Sequence, residues 1–141
     1  MKLLETMESL GGAALFGREL HSEVEAVELV EEGLPTRSIN RLQELGGLSE
    51  QDMARIFPRR TLTHIRKLAK LSAEQSDRVA RVAGVFRAAQ EVFGDRDKAN
   101  GWMLHPNRAL GGKAPIALLR TGSGAQLVED VLTRIAWGVY A

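Results

Sequence analysis

The chain has 141 residues, 44% of them hydrophobic, 26% charged and 5% aromatic, with a net charge of +1. This fits one medium domain or two small ones with an aliphatic core, and it excludes a large multidomain enzyme, a fibre and a wholly disordered chain. The absence of cysteine rules out disulfides and thiolate metal sites, and the three histidines, His21, His64 and His105, are too scattered for zinc, so no metal or cofactor is expected.

Apolar spacing is helical throughout, without the alternation of a half-buried strand, which predicts an all-α protein. Residues 1–20 contain Gly11, Gly12 and Gly17 and no clear start or stop signal, and are expected to be a flexible N-terminal arm. Ser22 with Glu25 forms a capping box for a first helix that runs to Glu32, turns Val24, Val27 and Val30 inward and stops at Gly33. Pro35 and Thr36 are expected to open a second helix whose Ile39, Leu42 and Leu45 share a stripe up to Gly46-Gly47. A short third helix starts at Ser49, stapled by Leu48 and Met53, and ends at Phe57 because Pro58 follows. Thr61 caps a fourth helix that continues to about Lys70.

Ser72 and Gln75 form a second capping box, which begins a long helix with Val79, Val82, Phe86, Ala89 and Phe93 on a strong apolar stripe, closed by Gly94. Asp95 caps a helix through Trp102 and Leu104 that His105-Pro106 terminates, with Trp102 expected in the core. Pro115 leads a short helix from Ile116 to Arg120, and a last helix from Ala125 to Trp137 turns Leu127, Val128, Val131, Leu132 and Ile135 inward. Gly111-Gly112-Lys113 lacks the other residues of a phosphate loop and reads as a tight turn. No apolar run approaches the ~20 residues of a membrane span and no signal peptide is visible, so a cytoplasmic protein is expected.

The small net charge conceals two opposite blocks. Between Glu19 and Glu32 every charged residue is acidic, and between Arg59 and Lys70 every one is basic. A basic block on one helix is the pattern expected of a face meant for a polyanion. The third and fourth helices have the local arrangement of a helix-turn-helix, although Ile56-Phe57-Pro58 occupies the turn where glycine is common. At ~100° per residue, Leu62, Ile65 and Ala69 fall on one side of the basic helix, and Arg60, Thr63, His64 and Lys67 on the other. These four, flanked by Arg59, Arg66 and Lys70 as phosphate contacts and by Thr61, form the candidate DNA-binding set. His64 has no carboxylate or nucleophile at useful spacing, and no catalytic role is assigned to it.

The run Trp102-Met103-Leu104-His105-Pro106-Asn107, the turn Gly111-Gly112 before Pro115, and Leu132-x-Arg134-Ile135-x-x-Gly138 occur in an order that resembles the toxin-binding domain of the Xre/MbcA/ParS antitoxins. The resemblance extends back through Pro58-x-Arg60-Thr61-Leu62 and Leu71-Ser72 and covers most of the chain from about residue 25. It implies a type II antitoxin whose residues 21–71 form a helix-turn-helix that represses its own operon. Residues 72–141 would then sequester a RES-domain toxin, a class that resembles ADP-ribosyltransferases and destroys NAD. Separately, a single helix-turn-helix of this size rarely reaches specificity alone, so a homodimer reading two half-sites is expected, with its interface in residues 72–141. The resemblance further implies that Trp137, Gly138, Val139, Tyr140 and Ala141 lie at the toxin's active-site entrance.

An apolar Trp137-Gly138-Val139-Tyr140-Ala141 ending agrees with docking either on a partner or on the chain's own core, and the ring and hydroxyl of Tyr140 suit a partly wet pocket mouth. The expected partners are therefore a RES-domain toxin, operator DNA and a second copy of the chain, with no membrane. The competing reading is a helix-turn-helix regulator with a dimerisation or ligand-sensing C-terminal domain and no toxin. No nucleophile, carboxylate pair or metal cluster stands at credible catalytic spacing, so no enzymatic activity is expected.

Overall fold

The computed structural model describes residues 2–138, so Val139, Tyr140 and Ala141 lie outside the described residues. Nine α-helices follow in order among these residues: α1 (Leu3–Leu10), α2 (Ala13–Phe16), α3 (Glu23–Glu32), α4 (Ser38–Gly46), α5 (Glu50–Met53), α6 (Arg59–Ile65), α7 (Ala73–Phe93), α8 (Arg96–Leu104) and α9 (Gly122–Ala136). Two 3₁₀ turns, Arg108–Leu110 and Pro115–Leu118, join α8 to α9. The fold is all-α, and no described helix is long and apolar enough to cross a membrane.

Side-chain caps set most of the starts. Ser22, Ser49, Ser72, Asp95 and Thr121 each accept the backbone N–H three residues on, which satisfies a donor the helix cannot use itself. At Ser49 and Ser72 the box is reciprocal, with Asp52 and Gln75 reaching back to the cap N–H.

Helix α7 is the spine. Its residues 82–86, Val-Ala-Gly-Val-Phe, are all buried in an unbroken run, so it is enclosed on every side instead of along the single stripe expected. It packs against α1, α3 and α4 from the N-terminal half of the chain and against α8 and α9 from the C-terminal half. One hydrophobic cluster runs from Met7 and Leu10 through Ile39, Leu42, Met53, Ile65 and Phe86 to Ile116, Val128 and Leu132.

Several boundaries differ from expectation. Residues 3–16, expected within a flexible arm, form α1 and α2, and Thr6, Met7 and Leu10 are fully buried while Glu23 accepts the N–H groups of Leu3 and Leu4. Helix α3 buries Ala26, Leu29 and Val30, which leaves Val24 and Val27 exposed. Helix α4 starts at Ser38 because Pro35 and Thr36 are committed elsewhere: Pro35 bridges Lys70, and Thr36 N–H and Oγ1 donate to the carbonyls of Ala69 and Leu68. The same pairing stops α6 at Ile65 and leaves Ala69 exposed. Leu71 N–H donates to Leu34 O at 2.9 Å, and Gly33 (φ 105°) permits this approach, since a Cβ there would strike the Leu71 carbonyl. Helix α6 begins at Arg59 after Pro58, and Thr61 does not cap it. The expected helix from Ile116 to Arg120 is the 3₁₀ turn Pro115–Leu118. Helix α9 starts earlier than expected, at Gly122, and its Leu127 is exposed.

Other expectations match the structure. Trp102 is half-buried with its ring centroid 5.7 Å from that of Phe93. Residues 107–113 form a closed turn in which Asn107 N–H donates to Lys113 O and Gly112 N–H to Asn107 O.

A Cβ at Gly124 would meet the backbone carbonyl of Leu118, which cannot rotate aside. Glycine there lets the first turn of α9 lie directly against the 3₁₀ turn before it. Alanine ordinarily stabilises a helix by up to ~1 kcal/mol over glycine. We expect Gly124→Ala instead to lower unfolding free energy by about 1–3 kcal/mol, the usual range for overpacking. Denaturant unfolding would measure it, and a neutral or stabilised variant would contradict the packing described.

Candidate nucleic-acid and partner-binding faces

Helix α6 is anchored by Leu62 and Ile65, which are buried with Ile56 and Phe57 of the preceding turn. That anchoring turns Arg59, Arg60, Thr63, His64, Arg66 and Lys67 to solvent, with Lys70 following on the same exposed segment. Arg59, Arg60, Lys67 and Lys70 make no ion pair among the described residues. Thr63 Oγ1 donates to Arg59 O, which fixes its rotamer and leaves its lone pairs outward. Thr61 stands apart from this set: it is half-buried and lines a cleft with Phe57, Pro58 and Arg78 against α7.

The turn between α5 and α6 has no glycine, and arginines from distant elements hold it. Arg120 Nε donates to Arg55 O at 2.9 Å and its Nη2 to Ala54 O at 3.5 Å, while Arg78 Nη1 donates to Ile56 O at 3.0 Å. The Arg78 guanidinium also sits 5.1 Å from the Phe57 ring centroid, a cation–π distance. Arg55 returns the contact by donating to Leu104 O. Charged donors thus satisfy the carbonyls that the short α5 leaves open.

Arg66 was expected to be a phosphate contact alongside the free cations. In the structure its Nη1 and Nη2 donate to Oε2 and Oε1 of Glu50 at 2.9 and 3.0 Å. Gln43 Nε2 donates to Glu50 as well, and to Leu48 O. The hydrogen bond from Arg66 holds the Glu50 carboxyl below the usual carboxylate range, against an opposing desolvation, with smaller lowering contributions from the Gln43 hydrogen bond and the charges of Arg66 and Arg59.

Three residues of this face escaped the sequence reading. Arg37 and Asn40, at the start of α4, line one cleft with Arg66, and Glu50 neutralises Arg66 from α5. Spacing gave no signal for them, because the bridge between Pro35 and Lys70, 35 residues apart in the chain, brings the start of α4 to the end of α6.

At the other end of the molecule, Trp137 follows α9 with 80% of its surface exposed, and Gly138 has a left-handed φ of 76°. Leu127, on the outer side of α9, is 55% exposed. Ala136 and Trp137 line a groove together with Gly84, Ala88 and Val92 of α7 and Leu132 of α9, and with the polar side chains of Lys2, Arg87, Glu129 and Thr133. No group of three or more His, Asp or Glu side chains is arranged to hold a metal ion among the described residues.

Residues 25–84 match the antitoxin Xre-like helix-turn-helix domain, and residues 88–138 match the antitoxin Xre/MbcA/ParS C-terminal toxin-binding domain. The chain is 33% identical over 121 residues to antitoxin Xre of Pseudomonas putida, covering 85% of this chain and 76% of that one. It is 34% identical over 115 residues to antitoxin Xre of Photorhabdus laumondii, covering 79% and 78%. It is also 28% identical over 132 residues to the Prs ADP-ribosylating antitoxin of a Sphingobium species, covering 85% and 83%.

The Glu50–Arg66 pair has a defined pH signature. Because pairing depresses the folded-state pKa of Glu50, its stabilisation is fully present above the unfolded carboxylate pKa of about 4.3 and is lost as pH falls through the lower folded value. Carboxyl NMR should place the Glu50 midpoint below those of unpaired glutamates, and Arg66→Ala should raise it towards them. An unmoved midpoint in the variant would show that the pair does not persist in solution.

Proposed function

Because the chain belongs to the Xre antitoxin family, we propose that it neutralises a RES-domain, NAD-degrading toxin by physically blocking its active site, and that it represses its own operon through α6. The observation that carries the first part is Trp137. An indole left 80% in water at the end of the stretch matched to the toxin-binding domain is the kind of aromatic anchor that dominates protein interfaces. Val139, Tyr140 and Ala141 follow it, and in this reading they enter the toxin's NAD pocket while Trp137 and Gly138 sit at its rim. The Sphingobium relative, whose name joins an antitoxin to ADP-ribosylation, supports a partner with NAD chemistry.

For the second part, the free cations Arg59, Arg60, Lys67 and Lys70 would contact phosphates and base edges, with Thr63 and His64 between them and Arg37 reaching the backbone from α4. A homodimer presenting two such helices would read two half-sites. Neither task requires a reaction by this chain, and the proposed protein is a cytoplasmic inhibitor and repressor without enzymatic activity. The domain division follows the same logic: residues 21–71 serve DNA, residues 72–141 serve the toxin and the dimer, and α7 supports both.

The two tasks are separable by mutation. Deleting residues 139–141 together with Trp137→Ala should abolish protection from the co-expressed toxin while upstream DNA is still bound. Arg60→Ala with Lys67→Ala should keep protection but weaken DNA binding, with the slope of log K against log salt falling by about 1.8 for two lost phosphate contacts. Growth assays and fluorescence anisotropy read these outcomes. Retained protection by the truncated variant would refute active-site occlusion by the tail, and an unchanged salt slope would refute the assignment of α6.

A further inference from the structure

The cationic face contains one carboxylate that is held in place from two directions. Glu50 is the first residue of α5, and its side chain is 64% exposed. Gln43 on α4 braces one of its oxygens at 3.3 Å, and both oxygens accept from Arg66, the residue that closes α6. Solvent-exposed ion pairs are ordinarily worth little to stability. A bidentate pair fixed from two helices and set among unpaired cations is therefore better explained by what it does to a ligand.

We infer that Glu50 is a specificity-determining residue of the DNA-binding face, which restrains Arg66 from indiscriminate phosphate contact and presents it in one orientation. This inference rests on the DNA-binding reading of α6 given above. Two of the five N–H groups of the guanidinium are committed to Glu50, and three remain in a plane that the carboxylate fixes. On an arbitrary duplex the pair carries no net charge, so it releases no counterion, and the carboxylate is repelled by any phosphate that approaches it. On the correct sequence the oriented donors meet an acceptor at a set place, with no reordering of a long side chain. Glu50 thus weakens non-specific binding more than specific binding, and discrimination is the difference between the two.

The test compares the full chain with Glu50→Gln and Glu50→Asp on two duplexes, the DNA upstream of its own gene and a scrambled duplex of the same composition. Removing the charge should tighten binding to the scrambled duplex about three- to tenfold at moderate salt and steepen its salt slope by about 0.9, the value for one added phosphate contact. The ratio of upstream to scrambled affinity should fall accordingly. Glu50→Asp keeps the charge, and should leave the salt slope on the scrambled duplex unchanged. An unaltered slope and affinity for Glu50→Gln on the scrambled duplex, in a variant that unfolds at the same temperature as the parent, would overturn the inference. Loss of folding in both variants would also overturn it, by making Glu50 a structural brace. If the unaltered protein bound neither duplex in a salt-dependent way, the DNA-binding reading itself would fail, an outcome distinct from the others.

Discussion

Enclosure of α7 constrains everything else in the molecule. A helix that buries five consecutive residues has no solvent face over that stretch, so its neighbours must approach from all directions. Ala80, Ala83, Gly84 and Ala89 let backbones come close, while Val79, Val82, Val85 and Phe86 fill the space between them. Burying each of the larger side chains contributes about 1.5–3 kcal/mol, and none of this is available unless helices from both halves of the chain are in place. Most buried polar groups on or beside the spine are satisfied: Ser76 Oγ accepts from Leu34 N–H, and Gln90 Nε2 donates to Leu45 O and to Asn100 Oδ1, whereas the buried Ser38 Oγ on α4 has no partner among the described residues. The second of these networks joins α4 to α8 across α7, so the hydrogen bonding follows the same route as the packing.

The arginine contacts around the α5–α6 turn extend that arrangement to the cationic face. Turns in helix pairs commonly rely on glycine to satisfy backbone geometry, whereas this one relies on donors supplied from α7 and from the segment before α9. The position of α6 therefore depends on residues up to 66 places away in the chain. Placement by side chains from the C-terminal half means that the two faces are built on shared parts, although each presents its own chemistry.

Much of this was legible in the sequence where the controlling interaction is local. The caps at Ser22, Ser49, Ser72 and Asp95, the stop at Gly94 and the cationic side of α6 involve residues within a turn of one another, and spacing reveals them. Some misreadings are local, such as the start of α6 at Arg59 and the Thr121 cap that starts α9 at Gly122, but the larger ones involve distant partners. Met7 and Leu10 look like part of a glycine-rich arm until α7 is there to cover them. Val24 and Val27 appear to form the inner stripe of α3, but the register is set by Ala26, Leu29 and Val30, which fit more closely against the core. Helix α6 loses its expected last turn to the bridge with Pro35, and Glu50 and Arg37 join its face only through that tertiary geometry. The chemistry of the candidate site was thus visible as a list of cations, and its one carboxylate was not.

The central claim is that a single cooperative core, threaded by α7, carries both faces. Native-state hydrogen exchange during urea titration tests it most directly, with amides of α4 and α6 reporting on one half and those of α8 and α9 on the other. The account predicts that the slowest amides of both halves merge into one global unfolding event, with the 79–89 stretch of α7 the most protected. Two separate unfolding events, one confined to residues 25–65 and the other to residues 96–136, would contradict it.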